Sequence, residues 1–284
     1  MTAVIQSRRL TANPVVSASL PANLVVRGDA LGVLDGRTGR GKSCRAVRRA
    51  VVRGCCTRAS AASAAGLCDG PVRGRGRRTA VSWARGERHF SGWYWAATTG
   101  QHVGFESWLE RDRLLLMDFD PEVVGIASQP FWLHWHDGER ERRHAPDYFV
   151  RRTDGSAVVV DVRADERIEP KDAEAFEVTR LACGQAGWGF ERVGVPDAVL
   201  LANVRWLSRY RHPRCLHGPV VNRLRAALSA PVPLMIGADA AGDRLETLPG
   251  LFHLLWLQEV AAEGLAVELL GPSTIVRLAD GGGR

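Results

Sequence analysis

The sequence predicts an α/β core with a mixed sheet, followed by a helical module and preceded by a long arm of low order. Three observations carry this. Residues 157–162 (AVVVDV) are a β-branched run after the turn signal Asp154-Gly155, the mark of a buried central strand. Helical patterns flank that run at 106–118 and 170–185. All twenty aromatic residues lie after Ser82, and thirteen of them fall between Trp83 and Phe149. A segment without aromatics buries little area. The chain therefore divides into a low-order arm at 1–82, a core at 83–202 and a helical module at 203–284.

Residues 1–35 alternate short Val/Leu runs with Pro and Gly and read as one or two weak strands. Residues 36–82 are an Arg/Gly/Ala/Ser/Cys tract, the composition of an unstructured linker. In the stretch 106–118 (ESWLERDRLLLMD), Trp108, Leu109, Leu115 and Leu116 share one helical face, and Pro121 stops the helix. Strands are expected at 123–126 and 131–135, then a charged hairpin tip at 137–143 and another strand at 148–150. The helix at 170–185 has Pro170 at its start and Gly187 after its end. Two more short strands are expected around Pro196. Helices are expected at 205–210, 220–228 and 251–263, and the β-branched end near residue 278 closes a hairpin. Three helices and a hairpin would suit a small winged-helix module.

Composition excludes several classes. Hydrophobic residues make up 45% of the 284, charged residues 24%, and no run of about 20 apolar residues offers a membrane span. The N-terminal apolar stretch is broken by Asn13, Pro14, Pro21 and Asn23, so no signal peptide is expected. Six cysteines without such a signal read as reduced thiols of a cytoplasmic protein. The net charge of +7 is uneven: residues 36–88 hold fourteen basic and two acidic side chains, which leaves the rest net negative. Arginine supplies 36 of the 38 basic residues, a compositional bias that weakens any single arginine as a sign of DNA contact.

Gly36 to Ser43 (GRTGRGKS) matches the phosphate-cradling pattern G-x-x-x-x-G-K-S around Lys42. A working loop needs a hydrophobic strand before it and a helix after it. Leu31 to Leu34 is too short for the first, and the Arg/Ala tract has no apolar face for the second. Cys44, Cys55, Cys56 and Cys68 lack the paired spacing of a zinc site and read as incidental thiols. Cys183 and Cys215 read as ordinary core or surface residues. His134, His136 and His144 alternate near the hairpin and read as strand-surface residues, with His144 close enough to Asp147 to face a substrate.

A quieter set carries more chemistry. Glu110 stands on the first helix, Pro146-Asp147 at a strand edge, and Asp161 and Arg163 at the end of the buried strand. Phosphodiester hydrolysis needs a hard divalent cation, and Mg²⁺ is held by carboxylates and water. The ion lowers the pKa of bound water and neutralises the scissile phosphate. A cation two residues beyond Asp161 lies on the same face of the strand. The competing reading is a plain surface ion pair of Asp161 and Arg163.

The segments SWLERDRLLLMDFDPEVVGIASQPFWLHW, RRHAPDYFV and VVVDVRADERI resemble the TnsA-type transposon endonucleases. The matching features are Leu109-Glu110 on a helix, 120–126 leading to Gln129-Pro130, the strand 146–150, and Asp161 to Arg163 where the family has an acid or Gln, any residue, then Lys. The resemblance fades by about Arg214. It implies a restriction-endonuclease-like fold and Mg²⁺-dependent cleavage of one DNA strand at each transposon end, with Mn²⁺ as a substitute ion. It implies partners too: DNA, a DDE-type transposase subunit and an AAA-type ATPase regulator. Carried over by position, Glu110, Asp147 and Asp161 hold the metal or position water, with Glu106 as the alternative acid one helical turn earlier.

Arg163 departs from the family lysine. It keeps the charge and can clamp a phosphate oxygen but cannot act as a base. The choices are a competent variant, a weakened enzyme, or replacement by Lys171; retention of all three carboxylates favours the first. Arg143, His144, Arg205, Arg209 and Arg211 are candidate DNA contacts, the last three in the most basic stretch outside the arm. The rival reading is a non-catalytic DNA-binding or assembly subunit, with a P-loop NTPase third.

Overall fold

The computed structural model describes residues 25–27 and 90–279. The expected arm, the phosphate-loop match and four of the cysteines lie outside these residues, except for strand β1 (Val25–Arg27).

The described chain is mixed α/β. A hairpin of β2 (Gly92–Ala96) and β3 (Gln101–Phe105) leads into helix α1 (Trp108–Phe119). Next come β4 (Val123–Ser128), β5 (Trp132–His136), β6 (Glu141–His144), β7 (Tyr148–Arg152) and β8 (Ala157–Val162). Helix α2 (Pro170–Ala186) connects β8 to β9 (Gly189–Val193). The main sheet has the order β4-β7-β8-β9, antiparallel except for the parallel pair β8/β9. Two parallel strands need a long crossover, and α2 supplies it. A second sheet, β1-β5-β6, is antiparallel.

Strand β8 is buried on both faces, as its unbroken apolar run requires. Val158, Val160 and Val162 pack in one cluster with Leu114 of α1 and Val103 and Phe105 of β3. Val159 and Asp161, 0% and 1% exposed, point to the opposite face. The β5–α2 contact forms a smaller cluster of Leu133, Trp135, Ala175 and Val178.

Two elements differ from the sequence expectation, and a third lies where the sequence carried none. The aromatic stretch Trp93-Tyr94-Trp95 is the first strand of the β2/β3 hairpin. Its turn is held by Asp118 at the far end of α1, which accepts from Tyr94 Oη–H (2.8 Å), Ala97 N–H (3.0 Å) and Thr98 N–H (2.8 Å). The second strand expected near Pro196 is instead helix α3 (Ala198–Leu207). Asp197 caps it, accepting from Val199 N–H and Leu200 N–H. A cap outweighs a short apolar run with a weak strand pattern. The helix expected over 251–263 is α6 (Arg244–Trp256), which contains Pro249 in its interior and is capped by Asp243.

The tail contains α4 (Gly218–Ala227), β10 (Val232–Pro233), α5 (Leu234–Ala241), α6, β11 (Val260–Ala262) and β12 (Ile275–Leu278). Strand β12 lies between β10 and β11. The largest apolar cluster joins these helices to Leu201, Val204 and Leu207 of α3 and to Leu115 of α1. The expected division at 202/203 thus falls within α3, whose buried face belongs to the tail cluster. Among the described residues no helix is long and apolar enough to cross a membrane.

Candidate metal and phosphodiester site

The start of α1 fixes Glu110. Ser107 caps the helix, its Oγ accepting from Glu110 N–H at 3.2 Å. In return Glu110 Oε1 accepts from Ser107 Oγ–H at 2.8 Å, and Oε2 accepts from Glu106 N–H at 2.7 Å. This S-x-x-E arrangement satisfies orphan amides of the helix end. It also sets the carboxylate beside the edge of the main sheet. Burial raises the Glu110 carboxyl above the usual carboxylate range, against the pull of those hydrogen bonds and of Arg163.

Asp147 precedes β7, and Asp161 lies near the end of β8. Asp147 Oδ2 accepts from Val162 N–H at 2.7 Å, and Asp147 N–H donates to Asp161 Oδ1 at 3.3 Å. Burial holds the Asp147 carboxyl well above its ordinary range, and the negative charges of Glu110 and Asp161 add to this. Asp147 is thus the acid that senses both others.

His144, at the end of β6, completes the cluster. Its Nε2 lies 2.9 Å from Asp161 Oδ2 and 3.1 Å from Oδ1, and its ring meets Phe176 of α2 edge-on. The sequence reading placed His144 near substrate and missed its partner. The signal available was His144 three residues before Asp147, at the end of the strand that feeds the Pro146-Asp147 turn. His134 and His136 stay apart on β5, where His136 Nδ1 accepts from Gly138 N–H.

Arg163 is exposed and reaches Asp172 of α2 at 3.2 Å. Lys171 pairs with Glu169 at 2.7 Å. Both line one open pocket of about 390 Å³ with Arg167, Glu166, Glu169 and Asp172. Glu106, the alternative acid, stays beside Glu110, whose carboxyl its charge helps to raise, and its Oε1 accepts from Gln129 Nε2–H at 2.7 Å. Gln129 has φ 44°, a left-handed backbone that costs a non-glycine residue energy, and its N–H donates to Asp147 O. Gln129-Pro130 stands out in the sequence through the resemblance, but its backbone hydrogen bond to Asp147 does not.

The candidate DNA contacts scatter. Arg143 lies on β6 with its guanidinium over Trp132. Arg209 covers Trp206. Arg205 pairs with buried Asp112 of α1 at 2.6 Å. Arg211 donates to Trp95 O and Ser208 O and lies over Tyr94. The last two are therefore spent in holding α3 and its following turn against the core. Cys183 is buried, which pushes its thiol up to about 12, and Cys215 is half-buried.

Among the described residues no three His, Cys, Asp or Glu side chains stand ready to enclose an ion as they are. The donor chemistry nonetheless fits a hard cation. Asp147 and Asp161 interlock on adjacent strands, and Glu110 adds charge from α1. Burial and mutual repulsion raise Asp147, a penalty that a bound cation would relieve. Comparison with protein-family models and with curated proteins gives no match.

Proposed function

We propose that the chain is a metal-dependent DNA endonuclease subunit of a heteromeric transposase, of the TnsA type, acting in the cytoplasm. The observation that carries this is the interlock of Asp147 with Asp161, with Glu110 close enough to raise Asp147. A helix followed by an antiparallel run, a helical crossover and a parallel strand supports a restriction-endonuclease-like core. In the tail, three helices, with β12 between β10 and β11, support a winged-helix module. The third helix of that module, α6, is buried from Gly250 to Trp256. This face is taken up by the chain's own core and is not open to a DNA groove, so in this reading the module serves assembly contacts with the ATPase regulator or the DDE-type transposase.

In this reading Asp147 and Asp161 hold Mg²⁺, or Mn²⁺ in its place, with Glu110 as a further acid once it leaves its cap. The ion supplies a lowered pKa for water and charge neutralisation at the scissile phosphate. Arg163, leaving Asp172, clamps a non-bridging phosphate oxygen and stabilises the charge that develops there. His144 stands beside Asp161, and Gln129 braces the backbone of Asp147.

One pair of observations favours the second reading, a non-catalytic DNA-binding or assembly subunit. The Glu110 carboxylate is engaged in its own helix cap, and Arg163 is paired with Asp172. Mg²⁺-dependent nicking of transposon-end DNA by the full chain with its cognate transposase separates the two. Asp147→Ala and Asp161→Ala should abolish nicking on the strand assigned to this subunit. Undiminished cutting by Asp147→Ala would falsify the site.

A further inference from the structure

We propose that Gln129 is a positioning residue: it ties the backbone of Asp147 to the first turn of α1, and so holds Glu110 rather than Glu106 as the acid opposite Asp147. The inference rests on the nuclease reading above and adds to it a residue that touches no reacting atom.

The backbone of Gln129 comes first. It follows β4 with φ 44°, in the left-handed region, and Pro130 comes next. A side chain at Cβ disfavours that conformation, and a residue before proline ordinarily takes an extended one. Such a backbone persists only where its surroundings hold it. Two hydrogen bonds do so. Gln129 N–H donates to Asp147 O at 2.9 Å, one step past the Ser128–Tyr148 pair of the β4/β7 ladder. Its Nε2–H donates to Glu106 Oε1 at 2.7 Å.

Glu106 passes the connection on. Its N–H donates to Glu110 Oε2 at 2.7 Å, while Ser107 Oγ–H donates to Oε1 at 2.8 Å. Gln129 thus touches the backbone of Asp147 and, through Glu106, reaches the carboxylate of Glu110. Glu106 and Glu110 flank the cap residue Ser107, so two acids compete for one place. The amide of Gln129 gives the Glu106 carboxylate a charge-assisted partner. The negative charges that raise Asp147 are those of Glu110 and Asp161. Misplacing a reacting group by about 1 Å costs up to about 100-fold in rate, so a brace of this kind is read in turnover.

The test is steady-state Mg²⁺-dependent nicking of transposon-end DNA by the full chain with its cognate transposase, with kcat and KM measured separately. Gln129→Glu sets a carboxylate against Glu106 and should lower kcat about tenfold or more, while KM stays within about twofold. Gln129→Gly takes the left-handed backbone without strain and lacks the amide. It should melt close to the parent and show a similar loss of kcat. Glu106→Gln combined with Gln129→Glu exchanges donor and acceptor, and should recover kcat to within about threefold of the parent. Parent rates in both Gln129→Gly and Gln129→Glu, with Asp147→Ala inactive, overturn the positioning role and leave the nuclease reading standing. A loss of kcat that the exchange fails to recover does the same. Parent nicking that survives Asp147→Ala, or no Mg²⁺-dependent nicking at all, overturns the nuclease reading and this inference with it.

Discussion

Asp147 and Asp161 are interlocked across two strands: the first gives its N–H to the second's carboxylate, and its own carboxylate takes the N–H of Val162, the next residue along β8. The interlock brings two acids together at one end of the two inner strands and leaves their like charges to repel. Burial and that opposition hold the folded-state pKa of Asp147 above its unfolded value.

A carboxyl with a raised folded pKa binds its proton more tightly when folded, so ionising it costs stability. The cost is absent below the unfolded value of about 4. It grows as pH rises and is complete above the folded value. Asp147→Asn removes the charge and keeps an acceptor for Val162 N–H. In metal-free buffer at pH 7.5 the variant should melt above the parent by about 2–4 °C, on the order of 1 kcal/mol. The gap should close near pH 4. Added divalent cation should narrow it by stabilising the parent alone. A variant that melts lower than the parent at pH 7.5 would show that the Val162 hydrogen bond outweighs the repulsion.

Arg163 is paired with Asp172, so its role can be separated from its charge. In the cleavage assay, Arg163→Ala should lose about 100-fold in rate, the usual scale for removing one charge-stabilising donor. Arg163→Lys should retain most activity, because a point charge at that position suffices to contact phosphate. Asp172→Asn releases the guanidinium and should leave the rate equal to or above the parent's. If Lys171→Ala shows the larger loss, Lys171 has taken the role of the family lysine.

Much of this arrangement was legible from local pattern. The AVVVDV run, the apolar face of α1 with Pro121 behind it, and Pro170 with Gly187 around α2 each encode their element within a few residues. Glu110, Asp147 and Asp161 came from the same reading, since acids at the ends of elements with a strong periodic signal are easily placed. What stayed hidden depends on partners far along the chain. The His144–Asp161 contact spans 17 positions, and the contact of Arg205 with Asp112 spans 93. Arg205 looked like a basic surface residue because its buried acid lies on another helix. Asp197 hid α3 for a different reason: its capping hydrogen bonds compete with a Val/Leu run that also reads as strand.

The hairpin that covers α1 hangs on one carboxylate. Asp118 is fully buried and accepts from Tyr94, Ala97 and Thr98, while its own carbonyl accepts from Thr98 Oγ1–H at 3.1 Å. Asp118→Asn is isosteric but turns an N–H₂ group toward donors. Urea unfolding should show a loss of about 2–3 kcal/mol, the cost of leaving buried donors without acceptors. Hydrogen exchange should rise first at Ala97 and Thr98. An unchanged midpoint would mean that the turn forms without the carboxylate.

Asn203 does for the tail what Asp118 does for the hairpin. It is 2% exposed on α3, and its Nδ2 group donates to Leu265 O at 2.7 Å and Glu268 O at 2.8 Å. Its Oδ1 accepts from Leu270 N–H at 2.8 Å. One amide therefore fastens the long connection between β11 and β12, whose outer side exposes Val267 and Leu269. An exposed apolar surface on a fixed loop is a contact surface only while the loop keeps its shape. Asn203→Ala should cost about 2–4 kcal/mol, because three polar groups lose their partner. Asn203→Asp preserves volume and the acceptor but sets an oxygen against two carbonyls, so it should also destabilise at neutral pH. Limited proteolysis should then cut near 263–274 faster in both variants than in the parent. Loss in the alanine variant alone would assign the effect to packing and remove the hydrogen-bond account.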